Sequence, residues 1–193
     1  MEKVSPSDAY NARAQAQGWA AYADPTQSFD RPNFLYLLQL WRDSAVGEDL
    51  PRRAAFTPRQ LKAFLPDIGL FERVDADGRW RARLLGTRFA RVYGEFSGKF
   101  FDEIMPAEAA ARVSASLDET LKGLAPFRLL ARTDTADKNF FSAEYCNLPL
   151  ADSQGRPTLV LSCAHFAPVP WDEFLAEALA RAAVKPVVPL TSR

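Results

Sequence analysis

Residues 80–104, WRARLLGTRFARVYGEFSGKFFDEI, change their hydrophobic period partway along. Trp80, Ala82 and Leu84 alternate with Arg81 and Arg83, the two-residue period of a half-covered strand. After Gly86 the apolar positions Phe89, Val92 and Tyr93 follow helical spacing. Gly94 and Gly98 mark the next joints. A short strand that runs directly into small helices sets the class as α+β, with helices folding back over a sheet.

The flanking segments supply the rest of that sheet. DIGLFERVD (67–75) reads as a strand, Ala76-Asp77-Gly78 as a turn, and RWRARLL (79–85) as the hairpin partner. GKFFDEIM forms a second short helix, and a longer one runs over roughly 106–122 with Val113, Leu117 and Leu121 in helical register and Gly123 as its cap. Three more strands are expected at 125–133, 138–150 and 157–166. Ahead of the hairpin, Asp30 can cap and Pro32 can open the helix FLYLLQLW, which is apolar on nearly all sides and must be covered on most of them. Thr57 and Pro58 start a short helix that Pro66 stops. WDEFLAEALARAA forms a last amphipathic helix, with Trp171, Phe174, Leu175, Ala178 and Leu179 on one side. The expected organisation is a mobile N-terminal arm at 1–29, poor in large aliphatic side chains, a domain at 30–168, and a C-terminal helix and tail at 169–193.

Composition limits the functional classes. A chain of 193 residues, 48% apolar and 12% aromatic, can bury about 70% of its unfolded surface. Twenty-four basic and 24 acidic residues cancel, so no long-range field gathers nucleic acid or an anionic bilayer. The start MEKVSPSDAY lacks a signal-peptide core, and no apolar run approaches a membrane span. The expected location is the cytoplasm, without membrane or nucleic-acid partners. The two cysteines, Cys146 and Cys163, lack the spacing of a zinc or redox motif.

The order of elements resembles that of the PAS domain family. LLGTRFARVYGEFSGKFFDEIM is similar to its central signature, with a helix leading to Gly94 and a Gly98-Lys99 step opening the next. A stand-alone bacterial PAS subfamily is resembled more closely still. Its pattern is matched by Leu40-Trp41-Arg42, Leu50-Pro51-Arg52, Leu65-Pro66, and the strand Trp80, Arg81, Arg83, Leu84, Gly86 and Thr87. The resemblance covers roughly 33–168. It implies a five-stranded antiparallel sheet with short helices over one face and flanking helices at both ends. It further implies a sensory or interaction module of bacterial signalling, usually dimeric. Haem-binding relatives carry a histidine on the helix before the third strand, where ETLKGLAPF has none. Light-sensing relatives carry a reactive cysteine where VYGEFSGKF has none. Haem and a covalent flavin adduct are therefore disfavoured, and the cofactor is left unknown.

Register decides the candidate site. If Ser153, Gln154 and Gly155 form a three-residue loop with Gly155 left-handed, Asp152 pairs with Arg156 and Tyr145 lies opposite Cys163. A two-residue turn would instead set Cys146 against Cys163, but needs Gln154 at positive φ, which is disfavoured. The favoured register puts Phe141, Ala143, Tyr145, Asn147, Leu159, Leu161, Cys163 and His165 under the helices. Tyr145, Asn147, Cys163 and His165, with Phe89 and Tyr93, are then the candidate pocket lining. Cys163 and His165 also invite a nucleophile-and-base reading, but no oriented base partner or oxyanion site is visible, so no enzyme is expected.

Arg79, Arg81, Arg83, Arg128 and Arg132 share strand parity and could stripe the far face, solvated or paired with acids such as Glu144. Phe34, Leu37, Leu38 and Trp41 of the first apolar helix are expected to dock there against Leu130 and Phe140, in their own or a second chain. A homodimer is therefore expected. With no kinase, cyclase or DNA-binding segment in these residues, output is expected through a separate signalling protein. The alternative is an interaction or dimerisation module whose core is filled.

Overall fold

A computed structural model describes residues 4–47, 49–74, 78–133 and 142–184. The chain runs α1 (Pro6–Gln17), β1 (Ala21–Ala23), α2 (Pro32–Asp43), α3 (Pro58–Leu61), β2 (Ile68–Val74), β3 (Arg79–Leu85), α4 (Thr87–Tyr93) and α5 (Phe101–Ile104). It continues through α6 (Ala107–Gly123), β4 (Phe127–Arg132), β5 (Ser142–Ala151), β6 (Pro157–Ala167) and α7 (Trp171–Val184). All strands described join one antiparallel sheet in the order β1-β4-β5-β6-β2-β3. The five expected strands are β2 to β6, and β1 is an addition. The expected turn at 76–77 and the strand start at 138–141, Phe140 and Phe141 included, lie outside the described residues.

The segment expected to be a mobile arm is folded instead. Ser5 accepts the Asp8 N–H, Pro6 occupies the first turn, and Gly18 at φ 66° closes α1. Tyr10 and Ala14 of this helix, with Trp19 and Ala23, pack over Phe127, Leu129 and Ala115. Small side chains let α1 lie close on α6, where a Cβ at Gly123 would touch Pro6. The Asn11 amide exchanges two 2.8 Å hydrogen bonds with the Ala23 backbone and so closes the outer edge of β1. The sequence reading missed this because two aromatics among alanines show no helical stripe. At the opposite edge, Lys99 O and Gly98 N pair with the Ala82 backbone and cover β3.

Each face of the sheet is covered. On one, α4, α5 and α6 enclose Phe71, Trp80, Ala82, Val160 and Ala164. On the other, α2 sets Phe34, Leu37 and Leu38 against Ile68, Leu70, Cys146, Leu148, Leu161 and Cys163. Each such side chain contributes roughly 1.5–3 kcal/mol on full burial. Trp41 is partly buried and donates its indole N–H to Pro149 O at 2.8 Å. α7 covers Leu130 with Phe174 and Ala178. Phe34, Leu37, Leu38 and Leu130 are thus buried by packing within the chain, the first three on Ile68 and Leu70 and the last under α7. Two end signals also differ from expectation. Asp30 pairs with Arg181 of α7 at 3.1 Å while Arg31 holds the cap position of α2, and Leu124, at φ 50°, takes the left-handed turn expected of Gly123.

The β5–β6 register differs by one residue from expectation, although the loop itself forms as expected. Asp152 N–H bonds Arg156 O, and Gly155 sits at φ 82°. A bulge between Leu150 and Ala151 then shifts the ladder, so that Cys146 faces Cys163 and Asn147 faces Ser162. Its cause is visible in the backbone. Ala151 lies opposite Pro157, which has no N–H, and Ala151 directs its own N–H to Pro51 O at 2.9 Å.

Of Arg79, Arg81, Arg83, Arg128 and Arg132, the first four are paired with acids, as expected, and Arg128 with Glu144 itself. Arg79 is held by Asp102 and Glu103, and Arg81 and Arg83 share Glu72. Arg128 is 0% exposed and lies between Glu144 at 2.7 Å and Asp24 at 2.8 Å, while Arg31 takes the second oxygen of Glu144 at 2.7 Å. Two cations and two anions thereby bind the loop between β1 and α2 to the centre of the sheet. Such a cluster adds little net stability over an apolar replacement, but breaking it strands a buried charge. Glu144→Gln is therefore expected to cost about 3–5 kcal/mol in urea unfolding. Burial opposes ionisation of Asp24, yet hydrogen bonds from Arg128, Thr26 and Ser28 prevail and hold its carboxyl below the usual range. Its contribution is full above the unfolded-state value of about 3.9 and is lost as pH falls through the lower folded value. Asp24→Asn should therefore flatten the acid limb of a stability–pH profile.

Candidate functional site

α4, α5 and α6 leave a cavity of about 290 Å³ against the sheet. Phe71 of β2, Phe89 and Tyr93 of α4, Phe96, and Phe101 of α5 line it. The aromatic rings meet mostly edge to face: Phe71 lies 5.4 Å from Phe101, and Phe89 lies 5.6 Å from Phe166. α6 presents Ala109, Arg112, Val113, Ser116 and Leu117, one stripe at helical spacing. The sheet contributes Tyr145, Asn147 and Ser162.

Polar groups in this apolar chamber are few and differ in how they are satisfied. The Tyr93 and Tyr145 hydroxyls hydrogen-bond to each other. Burial, then Tyr93, pushes the Tyr145 phenol well above its ordinary pKa, so it stays protonated. Ser116 turns its hydroxyl back to Val113 O at 2.8 Å. Arg112 is 7% exposed, makes interactions of its own, and carries its charge close enough to oppose the rise at Tyr145. Asn147 and Ser162 are each 2% exposed and face each other across β5 and β6. Neither side chain hydrogen-bonds to another described residue, so both direct polar atoms at the cavity.

Of the residues singled out from sequence, the cavity unites Phe89, Tyr93, Tyr145 and Asn147. Cys163 and His165 are not there. The bulge turns them to the opposite face, where Cys163 packs under α2 and His165 lies opposite Glu144 in the ladder. The Cys163 sulfur accepts from Asn33 Nδ2 at 3.7 Å, and burial pushes its thiol up to about 12. Burial, then Arg31, lowers the imidazole of His165. The two cysteines are free and opposite each other, and burial raises the Cys146 thiol as well. Ser162, Arg112, Phe71 and Phe101 were missed. Arg112 left a signal, one charge in the otherwise small and apolar stripe of α6, whereas Ser162 left none without the bulge.

The antiparallel sheet with helices over both faces, an internal cavity on one of them, and helices at both ends define a PAS-type α+β domain. Residues 30–165 match the family described as PAS domain, and the chain belongs to that family. No curated protein matches the sequence. Among solved structures, a sensory box histidine kinase/response regulator from Burkholderia thailandensis is 18% identical over 66% of this chain and 95% of its own, with a TM-score of 0.37. An RNA-binding light-oxygen-voltage receptor is 15% identical over 83% of this chain and 43% of its own, with a TM-score of 0.48. A Rhodobacter sphaeroides LOV protein is 14% identical over 81% and 85%, with a TM-score of 0.40. These likenesses transfer no ligand and no activity. Among the described residues, no helix is long and apolar enough to cross a membrane, and no group of three or more His, Cys, Asp or Glu could hold a metal ion.

The Asn147 amide meets cavity space and has no protein partner whose loss would be felt, so an apolar side chain of like size forfeits no hydrogen bond there. Asn147→Leu is therefore expected to leave the midpoint of thermal unfolding unchanged or raised. A fall comparable to that of a core truncation would mean that Asn147 serves the fold.

Proposed function

We propose that the protein is a sensory PAS module of bacterial signalling, in which occupancy of the cavity alters how the flanking helices pack, without catalysis. The observation behind this reading is that α6 is shared. One side of the helix lines the cavity with Arg112, Val113 and Ser116, while Ala111 and Ala115 pack against α1 and its neighbours. A ligand that moves α6 therefore acts directly on α1 and β1. α2 and α7 lie across the sheet and feel the cavity only through it. The shift is limited to the ligand's difference in affinity between the two packings. A separate signalling protein takes up the output.

Native mass spectrometry on freshly purified protein, followed by hydrogen exchange before and after extraction, tests this. The expected result is a retained small molecule whose removal speeds exchange in α6 and in residues 6–23. Exchange that changes only on α2 and α7, or a chain that neither retains nor takes up any small molecule, would refute it.

A second reading is a dimerisation module. It is favoured by the outward side of α2, where Leu35 is 47% and Tyr36 44% exposed. Concentration-dependent association in sedimentation, reduced by Leu35→Glu, would support a homodimer. A monomer throughout would remove this reading.

A further inference from the structure

Resting on the sensory reading, we propose that the cavity selects a small aromatic carboxylate, held at its acidic end by Asn147 and Ser162. The two side chains are adjacent across β5 and β6, each 2% exposed, and lack partners among the described residues. With no protein partner, these two polar groups meet the open space of a wall built mostly of rings and aliphatic carbons, and are left to whatever fills the cavity. A ligand bonding to both satisfies them.

The chemistry of the wall favours an acceptor. Asn147 offers an NH2 group and Ser162 a hydroxyl, and Arg112 adds guanidinium donors from α6. Of these side chains, only the Asn147 carbonyl is an acceptor without a proton of its own to give. A carboxylate has two oxygens with about four lone-pair positions, enough to meet both sheet donors at once. Its charge is expensive to bury alone, and the positive charge of Arg112 in the same wall lowers that expense. Contacts that Arg112 already makes do not conflict with this, because one guanidinium carries five N–H groups.

The remaining walls define the other end of the ligand. Phe71, Phe89 and Phe101 already meet edge to face, an arrangement that an added ring extends. A volume of about 290 Å³ lies at the low end of ligand pockets, so one or two fused rings fit and a nucleotide does not. A hydrocarbon of the same shape leaves Asn147 and Ser162 unsatisfied and so is held less tightly.

Benzoate and 2-naphthoate titrated into the full chain, followed by amide NMR, test the proposal, with toluene as the ring without the acid and succinate as the acid without the ring. At least one aromatic acid should perturb the amides of Asn147, Ser162 and α6 and bind more tightly than either control. Asn147→Leu and Ser162→Val should each weaken it roughly ten- to a hundredfold while the chain stays folded. These two variants avoid Arg112, whose removal could unfold the chain. If neither variant changes the affinity, or if succinate binds as well as benzoate, the assignment falls. Toluene entering the cavity while both aromatic acids stay out overturns the ligand class and leaves the sensory reading standing. Exclusion of every probe by protein free of any retained molecule counts against both.

Discussion

One displaced hydrogen bond governs the faces of this sheet. Ala151 gives its N–H to Pro51 rather than to the hairpin partner, where Pro157 has no N–H to return, and the β5–β6 ladder slips by one residue. Because strand side chains alternate, that slip exchanges every residue of β6 between faces. Ser162 comes to stand beside Asn147 under the helices, and Cys163 and His165 turn toward α2. The candidate cavity and the opposite core both follow from it.

The second constraint is that a sheet apolar on both faces must be covered twice. α4, α5 and α6 cover one face imperfectly and leave a chamber, while α2 and α7 seal the other. The N-terminal segment joins the two layers. Its helix lies on α6, its strand extends the sheet, and Asp24 and Arg31 just beyond meet the buried pair of Arg128 and Glu144. Electrostatics therefore locates the loop where hydrophobic burial alone would leave several registers open. α6 lies beside α1, so the helix that lines the cavity also contacts the N-terminal segment.

Much of this was legible in the residues. The alternation at 79–85 and the helical spacing at 87–93 gave the strand and helix their correct bounds, since both signals depend only on local period. The cap at Thr57 with Pro58 and the first-turn Pro32 were equally local. Four of the six candidate lining residues lie on the cavity because β5 and α4 were assigned the right parity. The two that failed, Cys163 and His165, failed together, for they share a strand whose register was set elsewhere. The docking of α1 on the domain went unread for a different reason. Alanine and glycine form close helix contacts without leaving a hydrophobic stripe.

Local chemistry thus determined most helices and strands from α2 onward and that the chain is α+β. Period, caps and turn residues act over a few positions and need no distant partner. Tertiary structure alone decided which way β6 faces, where Arg128 finds its acids, and that α1 belongs to the domain. Each of these turns on a bond between residues far apart in sequence, Pro51 with Ala151, Asp24 with Arg128, Asn11 with Ala23, and the competition for such bonds is resolved only when the chain has closed on itself.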